Sequence, residues 1–349
     1  MMNDRYELFN KLCLRHISLS EHSSYGIGGN ADYFAMPATV EQLVTILEVS
    51  ALYGMDRVVF GMGSNMLFPD QPKQGKLYIS LKNMTDITVN DSRWFLTSGL
   101  PLSMLSLVGL ITGSPAFQFT YLMPGSLGAG IYMNAKYYKE QVGDKVESVY
   151  YIDLADPALA VQQIRADECE FAYKQSIFQH KPWIIVGADI RIPEHEEAAI
   201  AHNGDISRLL TNYKNSNGKL SSLSAFYSFF SSELRGLQDR RMTRIETPEA
   251  MLEIERYRTA NRHFTSLSCG SFFKNNYAAD ASIGALVERL GLKGVAYGGA
   301  IISPYHGNMI LNAAQATAAD ILYLKDTVSD AIYRQYGFIP EPEVVVLTE

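Results

Sequence analysis

The residues best suited to chemistry in this chain are one serine, two glycine-rich loops, a lysine among aromatics and a late pair of glutamates. Ser271 lies in Cys269-Gly270-Ser271-Phe272-Phe273-Lys274-Asn275, with small residues ahead, two rings behind, then a cation and an amide. Such a setting either holds a hydroxyl in a partly dry, polar-rimmed pocket or lets it cap the following turn. No Gly-x-Ser-x-Gly elbow surrounds it and no histidine adjoins it as a base, which disfavours a hydrolase. Gly61-Met62-Gly63-Ser64-Asn65 follows the apolar run Arg57-Val58-Val59-Phe60. Two glycines there allow successive N–H groups to converge, as a nest for a pyrophosphate or as a tight structural turn. The third glycine of the dinucleotide fingerprint is missing. Pro124-Gly125-Ser126-Leu127-Gly128-Ala129-Gly130, ending near Asn134, repeats the theme. Two such loops, each after an apolar run, point to one shared phosphate-bearing ligand.

Lys174, in Tyr173-Lys174-Gln175-Ser176, is either a cation inside a pocket or a surface lysine with its stem on the rings. In Glu341-Pro342-Glu343 the proline keeps Glu341 extended. Glutamates two apart on an extended chain face one side, so one of them could enter a pocket. The histidines do not cluster, and His306 reads as a satisfied structural residue.

These residues need a framework, and the chain alternates strand and helix signals. Ala31 to Ala35, Arg57 to Phe60, Leu77 to Leu81, Trp94 to Ser98, Val146 to Asp153 and Trp183 to Ile192 read as strands. A helix runs from Thr39 to about Tyr53, with Thr39 as N-cap and Gln42 completing a capping box. Further helices are expected over Ser103 to Leu110, from Thr247-Pro248-Glu249 through Arg258, from Ala281 to Leu290, and from Thr317 to Gly337. Ala300 to Ile302, Met309 to Leu311 and Glu343 to Leu347 are strand-like. From His195 to Ser224 the chain is Asn- and Ser-rich without a clear period, and reads as a linker or excursion. The outcome is a mixed α+β protein in two parts.

At 349 residues the chain can bury more than one core, and 47% hydrophobic with 19% charged residues describes an ordinary globular protein. A net charge of −7 favours neither nucleic acid nor an anionic membrane as partner. Cys13, Cys169 and Cys269 are far apart and odd in number, which supplies neither a disulfide framework nor a metal-ligand spacing. With no signal-peptide pattern at the start and no apolar stretch near the roughly 20 residues of a membrane span, a soluble cytoplasmic protein is expected.

Taken in order, several segments resemble the UDP-N-acetylenolpyruvoylglucosamine reductases, the MurB family of peptidoglycan precursor synthesis. They are Ser24 to Ala31, Gly61 to Asn65, Pro124 to Asn134, Tyr173 to Ser176, Gly270 to Asn275, Gly291 to Gly294, Gly298 to Ala300, His306 to Asn308 and Glu341 to Val344. The resemblance covers nearly the whole chain. It implies an α+β fold: a two-subdomain FAD-binding half of the PCMH/MurB type over residues 1–75 and 76–195, then an α+β substrate-binding domain over 196–349. The last strand would pack back on the FAD-binding half. The cofactor implied is FAD, with NADPH as co-substrate and a UDP-sugar as substrate. A monomer without nucleic-acid, membrane or metal partners is expected.

In that family NADPH reduces the flavin and leaves, and the enolpyruvyl ether then accepts hydride from flavin N5. A serine protonates the carbon bearing the carboxylate, and Ser271 matches it. Lys174 falls on the family's pocket cation and Glu343 on its late glutamate, which would orient a water or donate from a protonated form raised in pKa by burial. Gly61, Gly63, Ser64, Asn65, Pro124, Gly125, Ser126, Gly128 and Asn134 are the implied cofactor residues. Tyr173, Arg258, Lys274 and Asn275 are the implied substrate residues.

The chain departs from the family at ligand-contacting positions. Lys174 replaces an arginine, keeping charge but losing the two-toothed grip on a carboxylate. Lys136 and Lys139 stand where glycines are usual, so each must point away or add a cation near the diphosphate. Arg258-Thr259-Ala260-Asn261-Arg262-His263 lacks the usual lysine in register, and Asn276 replaces a proline. Such changes leave open a different enolpyruvyl or nucleotide-sugar substrate, or a non-catalytic ligand-binding homologue.

Overall fold

The computed structural model describes residues 2–90, 93–191, 203–216, 222–240, 246–276, 278–279 and 281–347. Three sheets organise them. The first runs in the order Cys13–Ser18, Asn30–Ala35, Leu77–Ser80, Arg57–Phe60. Its first pair is antiparallel and the other two are parallel. The helix Val40–Leu52 makes the crossover that parallel pairing demands. Thr39 caps it by accepting from the Gln42 N–H at 3.3 Å. The Gln42 side chain accepts from the Ala38 N–H rather than that of Thr39, so the box closes one residue early. Leu43, Ile46 and Leu47 are fully buried on one face of the sheet; Phe34, Phe60, Phe68 and Tyr78 fill the other.

The second sheet is antiparallel throughout, in the order Val161–Arg165, Val146–Asp153, Trp183–Ile190, Arg93–Thr97, Ile87–Asn90. The helix Leu102–Thr112 packs in its core and is buried on nearly every side, as its uninterrupted apolar sequence requires.

The expected linker after His195 is partly helical. Residues 192–202 and 217–221 of that stretch lie outside the described residues, but Asn203–Ser216 is an α-helix. Ile206, Leu209 and Tyr213 recur at three- and four-residue spacing and are buried in the second core. Ser207 and Asn215, two of the polar residues that suggested a linker, lie on its exposed face. Leu223–Arg240 follows with Phe226, Phe230, Leu234 and Leu237 in the same core. The helix Glu249–Ala260 begins one residue later than expected, with Pro248 at the cap position.

The third sheet, Ala296–Tyr297, Ala300–Ile302 and Ile310–Asn312, is covered by Ile283–Arg289 and Ala318–Tyr336. Thr317 and Asp320 form a reciprocal capping box on the last helix, and Gly337 ends it at φ 77°.

Leu77–Ser80 belongs to the first sheet, and the helices from 203 to 260 pack with the second. The third core draws in Tyr25, Ile27 and Leu67 from the N-terminal part. Val345–Val346 pairs in parallel with Met66–Leu67, carrying the late segment back onto the first unit. Among the described residues no helix is long and apolar enough to cross a membrane.

Candidate active site

A cavity of about 770 Å³ opens between the second and third cores, with the Gly61 loop at its edge. Its walls come from the Gly61 loop, the segment from Met123 to Tyr138, the Lys174 turn, the end of the helix Glu249–Ala260, the Ser271 segment and Glu343.

Ser271 lines this cavity and is half-buried. The preceding Gly270 turns the chain at φ 75°, and the following Phe272 and Phe273 plunge into the third core. Backbone pairing clamps the segment on both edges. The Phe272 N–H donates to the Asn308 carbonyl at 2.7 Å, and the Glu343 N–H donates to the Phe272 carbonyl at 2.7 Å. The side-chain amide of Asn308 brackets Phe273, accepting from its N–H at 3.0 Å and donating to its carbonyl at 2.8 Å. The Ser271 hydroxyl makes no hydrogen bond among the described residues, so a rigid frame presents a hydroxyl still able to serve a ligand.

Lys174 Nζ meets Glu343 Oε1 at 2.5 Å, with side chains 14% and 17% exposed. Lys174 sits at φ 56° in a turn closed by reciprocal bonds between Ala172 and Gln175. Asn134 holds that turn in place. Its amide donates to the Ala172 carbonyl at 2.8 Å and accepts from the Gly143 N–H at 2.9 Å. The expected cofactor residue Asn134 is therefore fully buried, outside the cavity lining, with both ends of its amide engaged.

Asn65 likewise has a role that its motif did not announce. Its Nδ2 donates to the Glu343 carbonyl at 3.0 Å, and its own carbonyl accepts from the Val345 N–H at 3.0 Å. Ser64, Asn65, Pro124 and Gly125 line the cavity, whereas Gly61, Gly63, Ser126 and Gly128 lie behind it. The two glycine loops touch there. A Cβ on Gly61 would lie 2.2 Å from Ser126 Oγ, and one on Gly63, at φ 66°, would lie 2.0 Å from the His22 carbonyl oxygen. The Ser126 hydroxyl is buried without a partner among the described residues. These glycines are required by the close packing of the loops behind the cavity; Ser64, Asn65, Pro124 and Gly125 in front, with the orphaned Ser126 hydroxyl behind them, suit a large phosphate-bearing group.

Of the expected substrate residues, Tyr173, Arg258 and Asn275 line the cavity and Lys274 does not. Lys274 Nζ is held by Glu341 at 2.5 Å. The Asn275 N–H donates to the Tyr173 hydroxyl at 3.3 Å. Lys136 takes the alternative of adding a cation, since it lines the cavity with Nζ 5.7 Å from the centre of the Tyr173 ring.

His306 is not the satisfied residue expected. Its ring lines the cavity 5.6 Å from that of His263, and its Nδ1 is buried without a partner among the described residues. Burial pushes His263 down to about 3, with Arg258 and His306 adding to the effect. Nothing in local sequence pairs residues 263 and 306. The roles of Asn308 and Asn65 were equally hidden, because an amide's partners are set by folding.

The segment 262–347 matches the family profile described as UDP-N-acetylenolpyruvoylglucosamine reductase, C-terminal domain. The chain is 27% identical over 332 residues to the UDP-N-acetylenolpyruvoylglucosamine reductase of Prochlorococcus marinus (strain NATL2A), covering 95% of this chain and 96% of the relative. It is also 27% identical to that of Clostridioides difficile (strain 630), covering 95% and 92%. In structure it is similar to the reductase (MurB) of Thermus caldophilus, with a TM-score of 0.67 at 22% identity over 96% of this chain and 99% of that one, a likeness of fold. With its late segment matching the family profile and its full length aligning with reductases of one name, the chain is similar along nearly its whole length to the UDP-N-acetylenolpyruvoylglucosamine reductases.

Proposed function

We propose that the protein is an FAD-dependent reductase that uses NADPH to convert UDP-N-acetylenolpyruvoylglucosamine to UDP-N-acetylmuramate. The observation that carries this reading is the convergence of Ser271 and the Lys174–Glu343 pair on one cavity floored by two glycine loops. Ser64, Asn65, Pro124 and Gly125 would hold the cofactor from the cavity side, with Gly61, Gly63, Ser126 and Gly128 shaping the floor. FAD, when bound, supplies the hydride after NADPH has reduced it.

The residues then have distinct tasks. Negative charge grows on the substrate carboxylate as its double bond is reduced, and a fixed ammonium at Lys174 stabilises that state more than the ground state. Glu343 sets where the ammonium stands, within reach of the incoming carboxylate. Ser271 gives its proton to the carbon bearing that carboxylate. A hydroxyl is a weak acid, but an enolate is a strong base, so placement matters more than acidity. Tyr173, Arg258 and Asn275 line the space for the rest of the substrate. The reading assigns the enzyme to cytoplasmic peptidoglycan precursor synthesis as a monomer.

Oxidation of NADPH by the FAD-loaded protein that depends on UDP-N-acetylenolpyruvoylglucosamine is the expected result. Flavin that NADPH reduces, without substrate-dependent turnover, would overturn the assignment of substrate. A second reading, with another enolpyruvyl or nucleotide-sugar substrate, is favoured by one feature. Lys174, in place of the family's arginine, offers a single point charge where a planar fork would grip two oxygens.

A further inference from the structure

The helix Glu249–Ala260 brings Arg258 to the cavity, and three residues earlier it carries Glu255. An acid three residues before an arginine on a helix stands within pairing reach of it. Asp205 and Arg208, at that spacing on Asn203–Ser216, do pair, at 3.0 Å. Glu255 and Arg258 do not. No carboxylate pairs with Arg258 among the described residues, its Nε is buried without a partner, and its guanidinium lies 5.6 Å from the centre of the Tyr137 ring.

Both oxygens of Glu255 are taken by tyrosines instead. Oε1 accepts from the Tyr227 hydroxyl at 2.8 Å, and Oε2 accepts more loosely from the Tyr121 hydroxyl at 3.5 Å. The two donors come from separate parts of the fold. Tyr227 belongs to the helix Leu223–Arg240 and stacks on Phe264, a cavity-lining ring, with centres 4.9 Å apart and planes at 21°. Tyr121 is fully buried and leads into Met123, Pro124 and Gly125 of the cavity lining. Both hydroxyls are held as protonated donors. The bond to Glu255 first, and burial second, raise Tyr227; burial first, and Glu255 second, raise Tyr121.

We infer that Tyr227 and Tyr121 are positioning residues, which draw Glu255 away from Arg258 and so keep that guanidinium free inside the cavity. A carboxylate that accepts two O–H donors has its oxygens engaged and its direction fixed. Without the Tyr227 hydroxyl, Oε1 would lose its nearer donor, and Arg258 is the partner that helical spacing offers. A closed Glu255–Arg258 pair would cancel one of the charges that the cavity presents. That this charge meets the anionic part of a substrate rests on the function proposed above; the freedom of the guanidinium does not.

Phenylglyoxal, which adds to unpaired guanidinium groups, tests this on the full chain without ligand or cofactor, with the rate at Arg258 followed by mass spectrometry of its peptide. Arg258 should react in the unmodified protein. Tyr227→Phe, which keeps the stacked ring, should slow the reaction about tenfold as Glu255 closes on Arg258. Tyr121→Phe should slow it less, since its bond is the longer. Adding Glu255→Gln to Tyr227→Phe should restore the rate, because a neutral amide offers the arginine no charge. A merely structural role for the tyrosine predicts the reverse, with two altered partners disturbing the site more than one. An Arg258 that is unreactive in the unmodified protein, unslowed by Tyr227→Phe, or slower still in the double variant would overturn the inference. Where the proposed reaction holds, Tyr227→Phe should also raise the KM for the UDP-sugar about tenfold with kcat nearly kept, and the double variant should bring it back. Absence of turnover in every variant would count against that reaction and leave the labelling result standing.

Discussion

The ammonium of Lys174 meets the carboxylate of Glu343 at 2.5 Å across 169 positions of chain. Both side chains are mostly shielded from water, so the pair is screened less than a surface pair and holds its geometry. It joins the second structural unit to the strand that returns onto the first.

Removing the ammonium while keeping the stem, with Lys174→Met, leaves Glu343 without its partner and the substrate carboxylate without a cation. Turnover should fall about 100- to 1000-fold, the usual effect of losing one electrostatic stabiliser. Lys174→Arg should stay within about tenfold of the parent. Steady-state rates of substrate-dependent NADPH oxidation decide the matter. An inactive arginine variant would mean that this pocket is built around lysine.

Ser271→Ala removes a hydroxyl that bonds to nothing among the described residues, so stability should change little. Reduction of the flavin by NADPH, followed in stopped flow, should be nearly unaltered. Reoxidation by substrate should slow by about 100- to 10,000-fold, the range for losing a positioned proton donor. Equal losses in both half-reactions would contradict the donor role.

Asn65 tethers Glu343 through its carbonyl at 3.0 Å. Asn65→Ala should cost about 1 kcal/mol of stability for the lost bond. By loosening Glu343 it should also slow the substrate half-reaction. Asn65→Asp should do worse, because it sets a carboxylate oxygen against a carbonyl. If both variants keep parental reoxidation rates, the tether does not position the ion pair.

Acid should destabilise the protein before its carboxylates titrate. His22 packs on Phe34 with ring centres 4.2 Å apart, and its Nδ1 lies 3.0 Å from Lys82 Nζ. Burial first, and Lys82 second, push it down from 6.5 to about 4. Above pH 6.5 the ring is neutral in both folded and unfolded chains, and stability is unaffected. As the pH falls from 6.5 towards 4 the unfolded chain binds the proton and the folded one resists, so stability is lost across that window. His263, pushed down to about 3, adds a loss in the same direction. Denaturant unfolding at pH 7 and pH 5 should reveal this slope, and His22→Gln should reduce it by up to about one proton. A variant with the parental slope would show that His22 is not the group responsible.

Much of the framework was legible in the sequence because the forces that make it are local. The strands Arg57–Phe60 and Val146–Asp153 fall where β-branched runs place them. The helix Ala318–Tyr336 begins at its capping threonine and stops at its glycine. The helix Asn203–Ser216 was missed although its apolar spacing was present, because a polar face rich in Asn and Ser outweighed three buried residues.

The site divides along the same line. Residue type and motif order were enough to single out Ser271, Lys174, Glu343 and the glycine loops, since chemistry of that kind travels in short segments. What met what was decided by tertiary structure alone. The pairing of Lys174 with Glu343, the tether from Asn65, the closure of Asn134 around the lysine turn and the facing rings of His263 and His306 all join distant positions. A side chain's hydrogen-bond partner depends on which backbone arrives beside it, and no periodicity in the chain reports that. Sequence therefore determined the elements and the reactive groups, and the packing of distant segments around one cavity determined how those groups face one another.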